Sequence, residues 1–195
     1  MAKAMKKRSK AGDGVEALYK AYSTARKRLV AARQKAVAMK VSDYTFTDHA
    51  GNALKLSALF GKGRDLIVVH NMGTGCSYCT MWADGFNGVR QHLSDRAAFV
   101  VVSPDKPALQ KKFAAGRGWK FPMLSSQGTT FFKDMGFEGE GGKPWPGVSA
   151  FRKERSGIRR TGTAPFGPGD EFCAVWHLFD LLKDGADGWG PKYKY

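Results

Sequence analysis

Cysteine is scarce in this 195-residue chain: three residues, Cys76, Cys79 and Cys173. Three cannot form a disulfide framework, so redox or metal chemistry is the expected use of the thiols. No apolar run is long enough to span a bilayer. The basic start, residues 1–10, leads into no apolar segment, so a secretory leader is not expected and a reducing cytoplasm is the expected setting. Acidic residues are also few, 17 against 32 Lys and Arg, for a net charge of +15. The deficit is local: residues 1–40 hold 12 Lys or Arg against Asp13 and Glu16, and so carry +10 of the total. Hydrophobic residues make up 43% of the chain, enough for one domain with a full core.

Within the basic segment, Val15, Leu18, Tyr22, Ala25, Leu29, Ala32, Ala36 and Met39 recur at spacings of three and four. This predicts a long amphipathic helix with a basic face, preceded by a disordered tail over 1–14. Residues 1–40 are thus a helical extension and 41–195 the main domain. The plain expectation is a helix packed on that domain with its cations in water. An anionic partner such as nucleic acid or a membrane surface, or pairing in a homodimer, is the alternative.

The chain is organised around residues 66–88. Leu66, Ile67, Val68 and Val69 form a β-branched apolar run between Gly61–Gly63 and a loop with Gly73 and Gly75, which reads as a strand buried on both faces. Cys76-x-x-Cys79 follows, where a strand-to-helix turn leaves amide N–H groups unpaired. A helix N-terminus favours negative charge and the thiolate is the reactive form, so Cys76 is the expected nucleophile. Cys79, one turn on, is the expected resolving thiol. Two buried structural cysteines are the bland alternative. Gly85 and Gly88 cost about 1 kcal/mol each inside this helix, for which close packing on a neighbour is the expected compensation.

Residues 44–56 alternate around a turn at His49 to Asn52 and predict a hairpin, with a helical turn from Ser57 ending at Gly61. Residues 97–103 read as a second buried strand, and 105–116 as a helix with Pro107 in its first turn and Gly116 at its C-terminal cap. From Trp145-Pro146 a strand runs to Arg152, turns at Gly157 and pairs with 158–162. A closing helix over 169–182 would be capped by Asp170. Strand, helix, strand, helix, then a hairpin and a helix, describe an α/β sheet flanked by helices.

These features together resemble the thioredoxin fold. The hairpin with Phe46, Asp48 and Gly51, and Leu56, Leu59 and Phe60 after it, resembles its branch of alkyl hydroperoxide reductases and thiol-specific antioxidants. Cys76-x-x-Cys79-x-x-Trp82-Ala83-Asp84-Gly85-Phe86-Asn87-Gly88, with Trp119-x-Phe121-Pro122 and Gly147-Val148-Ser149-Ala150-Phe151, is similar to a bacterial family of predicted dithiol–disulfide oxidoreductases, over roughly residues 15–195. The resemblance implies that Pro146, with Pro122 as rival, is a cis proline beside the dithiol. It places His70 six residues before the nucleophile, where thioredoxins hold a buried acid that takes the proton of the resolving thiol; a histidine can do this near neutral pH. It implies no bound cofactor and a disulfide-bearing protein or small thiol as substrate, with a separate electron donor. Substrate contacts are expected from Pro146, Gly147, Tyr78, Trp82 and Asp84. The peroxiredoxin signature Pro-x-x-x-Thr-x-x-Cys is absent: Thr74 stands two residues before Cys76 and no proline precedes it in the loop.

Two other classes stay open from the residues alone. Cys76, Cys79, Cys173 and His177 have the composition of a structural zinc site, the last two on one helical face. A non-catalytic thioredoxin-like binding module would carry the same fold.

Overall fold

The computed structural model describes residues 10–36 and 38–195. The chain divides into two units, residues 1–37 and 38–195. Among its described residues the first holds one helix, α1 (Lys10–Lys35), with the predicted stripe from Val15 to Ala32 inside it. The predicted tail is helical from Lys10 onward, because a helix nucleated further along propagates at small cost per residue even through Gly12 and Gly14. The rest of that tail lies outside the described residues.

The second unit is a mixed eight-stranded sheet. Its strands are β1 (Met39–Val41), β2 (Thr45–Thr47), β3 (Ala53–Lys55), β4 (Asp65–His70), β5 (Ala98–Ser103), β6 (Met123–Ser125), β7 (Gly147–Glu154) and β8 (Gly157–Pro165), in the order β1-β8-β7-β4-β5-β6-β2-β3. β4, β5 and β6 are parallel to one another and β7 is antiparallel to β4. The helices are α2 (Ser77–Arg96), α3 (Pro107–Arg117), α4 (Phe131–Asp134) and α5 (Ala174–Phe179). The β2–β3 hairpin closes as predicted, with Asp48 accepting the amide N–H groups of Ala50 and Asn52 at 2.8 Å. β1 and β6, three residues each, are additions to the predicted set.

Side chains of β4 alternate between two cores. Leu66 and Val68 pack on one face with Phe46, Leu56, Phe131, Phe137 and Phe151. Val69 packs on the other with Cys79, Trp82, Val101, Trp119, Phe166 and Trp176. The sheet therefore has a dithiol face, covered by α2, and an opposite face covered by the phenylalanine cluster.

Three predicted helix details are corrected. α3 ends on Gly118, whose φ of 68° is the left-handed conformation a C-terminal cap requires, rather than on Gly116. α5 starts only after Cys173, because Asp170 accepts N–H bonds from Gly167 at 2.9 Å and Phe172 at 2.7 Å and so closes a turn instead of capping a helix. A β-carbon on Gly85 or Gly88 would meet no atom within 4 Å, so these glycines are not close-packing devices.

Candidate dithiol site

α2 begins at the end of β4 after a loop that its own polar groups fix. Asn71, buried, accepts the Gly73 N–H at 2.8 Å and donates to the Cys79 carbonyl at 3.4 Å. Asp105, after β5, accepts the Thr74 N–H at 2.7 Å. A β-carbon on Gly73, whose φ is 104°, would lie 2.7 Å from that carboxylate, so only glycine fits. The loop is thereby tied both to the helix it leads into and to the segment that follows β5.

Cys76 is the N-cap of α2. Its Sγ accepts the Cys79 N–H at 3.0 Å, and its carbonyl accepts both the N–H and the hydroxyl of Thr80 at 3.0 Å. Cys76 is half-buried and Cys79 fully buried. The Cys79 thiol donates a hydrogen bond to Cys76, and this bond above all, with the Cys79 and Tyr78 N–H groups, brings the Cys76 thiol down to about 7 against the opposing effect of burial. The same shared bond, burial and the charge on Cys76 push the Cys79 thiol up, while the Met72 N–H, 3.4 Å from its Sγ, acts in the other direction. One sulfur is thus a thiolate near neutral pH and the other its proton-bearing neighbour.

Tyr78 stacks on Trp176 of α5, centroids 6.1 Å apart at 24°. Trp82, expected at the substrate, is buried among Phe166 and the rest of the dithiol-face core. Asp84, also expected there, is committed elsewhere. It accepts from Trp119 Nε1 at 2.7 Å and pairs with the Arg117 guanidinium through both Nε and a terminal nitrogen. Asn87 continues the seam, accepting the Lys120 N–H at 2.8 Å and donating to the Gly118 carbonyl at 3.3 Å. The polar residues of Trp82-Ala83-Asp84-Gly85-Phe86-Asn87-Gly88 therefore lock α2 to the end of α3. Both elements were legible in the sequence, but not that they meet.

His70 lies on the opposite face from the dithiol. Its ring is stacked between Phe137 (4.0 Å) and Phe131 (5.1 Å) and Nε2 shares a 2.9 Å hydrogen bond with Ser149 Oγ. Burial, aided by the Arg160 charge, lowers its pKa to about 3. Strand alternation is the reason for the misplacement: with Leu66 and Val68 on the phenylalanine face, His70 must join them. Pro146 enters β7 beside the end of β4, where Gly147 is in register with His70. No cis peptide bond occurs among the described residues, so neither Pro146 nor Pro122 is cis. The Trp145 N–H bonds the Phe137 carbonyl at 2.7 Å and the Pro146 carbonyl accepts from Phe166 at 3.0 Å, which satisfies this entry with the ordinary trans bond. Gly147 is required by space: a β-carbon there would fall 2.1 Å from the Phe137 ring.

The zinc alternative does not assemble. Among the described residues no three of His, Cys, Asp and Glu form a group able to hold a metal ion. Cys173 instead precedes α5 in the dithiol-face core, and His177 lies 3.8 Å from Asp180. Among the described residues no helix is long and apolar enough to cross a membrane.

The fold is shared with thioredoxin-like proteins of the peroxiredoxin type. A peroxidoxin, BcpB, from Mycobacterium tuberculosis aligns with a TM-score of 0.57 and 25% identity over 66% of this chain and 84% of its own. Reduced Prx3 from Vibrio vulnificus, solved in complex with hydrogen peroxide, aligns with a TM-score of 0.57 and 15% identity over 69% and 90%. Peroxiredoxin Q from Xanthomonas campestris, in a cysteine-to-serine mutant, gives a TM-score of 0.53 at 18% identity over 63% and 80%. No curated protein matches the sequence. A family model described as a bacterial protein of unknown function, DUF899, matches residues 13–194, nearly the whole chain, which therefore belongs to that family.

Proposed function

We propose that this protein is a thiol–disulfide oxidoreductase working through Cys76 and Cys79 in a reducing cytoplasm, on a disulfide-bearing protein or small thiol. The observation that carries the reading is the pair itself: a helix-capping, half-buried Cys76 brought down to about 7, hydrogen-bonded to a buried Cys79. The Cys76 thiolate attacks a substrate disulfide, one substrate sulfur leaves with the electron pair, and a mixed disulfide forms. Cys79 then gives up its proton, attacks Cys76 Sγ and expels the second substrate thiolate. The substrate gains two electrons and two protons and the dithiol becomes a disulfide, which a second dithiol must reduce.

The proton of Cys79 needs no buried acid. The largest cause holding it there is the bond to Cys76, followed by burial and then the Cys76 charge. The bond and the charge both vanish once Cys76 is tied up in the mixed disulfide, while the Met72 N–H remains to favour the Cys79 thiolate.

Peroxide reduction is the second reading, favoured by the likeness to the M. tuberculosis peroxidoxin. Against it stands the loop before Cys76, in which the Thr74 N–H is taken by Asp105 and no proline occurs.

Titration of the purified protein in glutathione buffers, with the Cys76–Cys79 state read by mass spectrometry and metal assayed on the same sample, tests the proposal. A reversible two-electron transition is expected, with turnover lost in Cys76→Ser and a mixed disulfide trapped in Cys79→Ser. Full turnover in either variant would sink the mechanism. Hydrogen peroxide consumption at a rate exceeding disulfide exchange would favour the second reading.

A further inference from the structure

The C-terminal segment carries the surface of the dithiol loop across to α3. Trp189 packs edge-on against Trp176, and Gly190 runs so close to Tyr78 that a β-carbon on it would lie 3.4 Å from the phenolic oxygen. Three residues later the Tyr193 carbonyl accepts from Arg117 at 2.7 Å, and the Tyr193 ring meets Phe113 edge to face at 6.3 Å. Between them lies a cavity of about 460 Å³ lined by Leu109, Lys112, Phe113, Arg117, Tyr193 and Lys194. Its size is within the range of small-molecule sites, and its walls join apolar surface to cations as such sites do.

The charges there are not equivalent. Arg117 is neutralised by Asp84, whereas among the described residues neither Lys112 nor Lys194 has an ion-pair or hydrogen-bond partner for its side chain. Lys112 and Lys194 thus line the cavity without an anionic partner, together with Leu109, Phe113 and Tyr193. The tail that forms the cavity also touches the dithiol loop: three residues of chain span at most about 10 Å, so the Tyr193 backbone lies within that distance of Gly190. Gly190 in turn approaches Tyr78, which stands between the two cysteines in the sequence. Consistent with this, the Tyr193 phenol is pushed up by burial and then by negative charge on Cys76 and Cys79.

We propose that this cavity binds a peptide-sized thiol bearing carboxylates, as the disulfide substrate or thiol product of the Cys76–Cys79 pair, its carboxylates on Lys112 and Lys194 and its carbon frame along Leu109 and Phe113. The inference rests on the dithiol reading for the identity of the reaction and on the cavity alone for binding. The bond changes are those of the exchange above: the Cys76 thiolate breaks the ligand's S–S bond, Cys79 displaces the second half, and two carboxylated thiols leave with the electrons and protons of the dithiol.

Two measurements on the full chain, with and without the pair Lys112→Gln and Lys194→Gln, separate the claims. The first is calorimetric titration with S-methylglutathione, which carries the charges but cannot exchange. Saturable binding that weakens about tenfold in the double variant is expected, and no binding, or binding the variant leaves unchanged, would overturn the site. The second is the rate of Cys76–Cys79 oxidation by glutathione disulfide, neutral hydroxyethyl disulfide and cationic cystamine. Glutathione disulfide should be fastest by about tenfold and lose that advantage in the double variant, with the neutral rate unchanged. A control with Lys62→Gln and Arg64→Gln, at the far end of β4, removes the same charge and should keep the preference. A preference lost equally in that control would assign it to the general basicity of the chain and overturn the proposal. Lysine-dependent S-methylglutathione binding with no oxidation by any disulfide would uphold the cavity and remove the dithiol reading instead.

Discussion

At the scale of the residue, the clearest lesson is that position along a strand fixes chemistry less than the face a side chain takes. His70 has the offset from Cys76 that a proton acceptor would need, yet it stacks among phenylalanines on the far side of the sheet and stays neutral near neutral pH. Its cost appears in acid. The unfolded chain binds a proton at the ordinary value near 6.5, but the folded one only near 3, so stability is full above 6.5 and falls as pH drops toward 3. One such group contributes a slope of roughly 1.4 kcal/mol per pH unit in that window. Urea unfolding of wild type and His70→Phe at pH 6.5, 5.5 and 4.5 should therefore show a slope shallower by about that amount in the variant. Equal slopes would mean that His70 is accessible to protons after all. At pH 7 the variant should alkylate Cys76 at the wild-type rate, since the histidine and the thiolate occupy opposite faces.

At the scale of the element, the pairing of α2 with α3 is what the glycine-rich motif accomplishes. Asp84 accepts from Trp119, which is buried, and from Arg117. Asn87 serves the exposed backbone of Gly118 and Lys120. Asp84→Ala leaves a buried indole N–H without a partner and should cost about 1–3 kcal/mol, whereas Asn87→Ala, whose partners can turn to water, should cost roughly 1 kcal/mol or less. Thermal unfolding of both variants checks the order, and an Asn87 variant worse than the Asp84 one would contradict it. The elements themselves were largely readable. β4 and β5 are apolar runs, the β2–β3 and β7–β8 hairpins show alternation and turn residues, and α2 and α3 have clear starts. What could not be read is what tertiary pairing creates. β6 follows Pro122 and is only three residues long, existing because β5 and β2 offer it partners, and β1 exists because β8 does. At the site, Cys76 and Cys79 were legible from the local turn. Asn71 and Asp105 were not, since each holds the loop before Cys76 through the fold rather than through spacing, nor was Tyr193, whose phenol feels the charge on the sulfurs only in the folded chain.

At the scale of the whole molecule, charge and core are carried by different parts of the chain. Residues 1–37 hold 11 of the 32 basic residues and Asp13 and Glu16, hence +9 of the +15. Both core clusters, by contrast, draw their buried members from residues 41–176. The sheet's edge strand β1 starts at Met39, and Ala38 supplies the carbonyl that Arg159 holds at 3.0 Å. A chain beginning at Ala38 thus keeps every strand pairing and both cysteines with the hydrogen-bond partners described for them. It should unfold cooperatively and alkylate Cys76 with an unchanged midpoint near pH 7. What it should lose is electrostatic: binding to anionic vesicles or to nucleic acid, if the intact protein shows it at low salt, should weaken steeply on truncation and with added salt. Sedimentation with anionic and with neutral vesicles, alongside alkylation rates for the two chains, separates these consequences. A truncated chain that loses its Cys76 reactivity would show that the basic helix belongs to the dithiol unit. One that keeps both reactivity and anion binding would place the attraction on the remaining +6, the charge to which Lys112 and Lys194 belong.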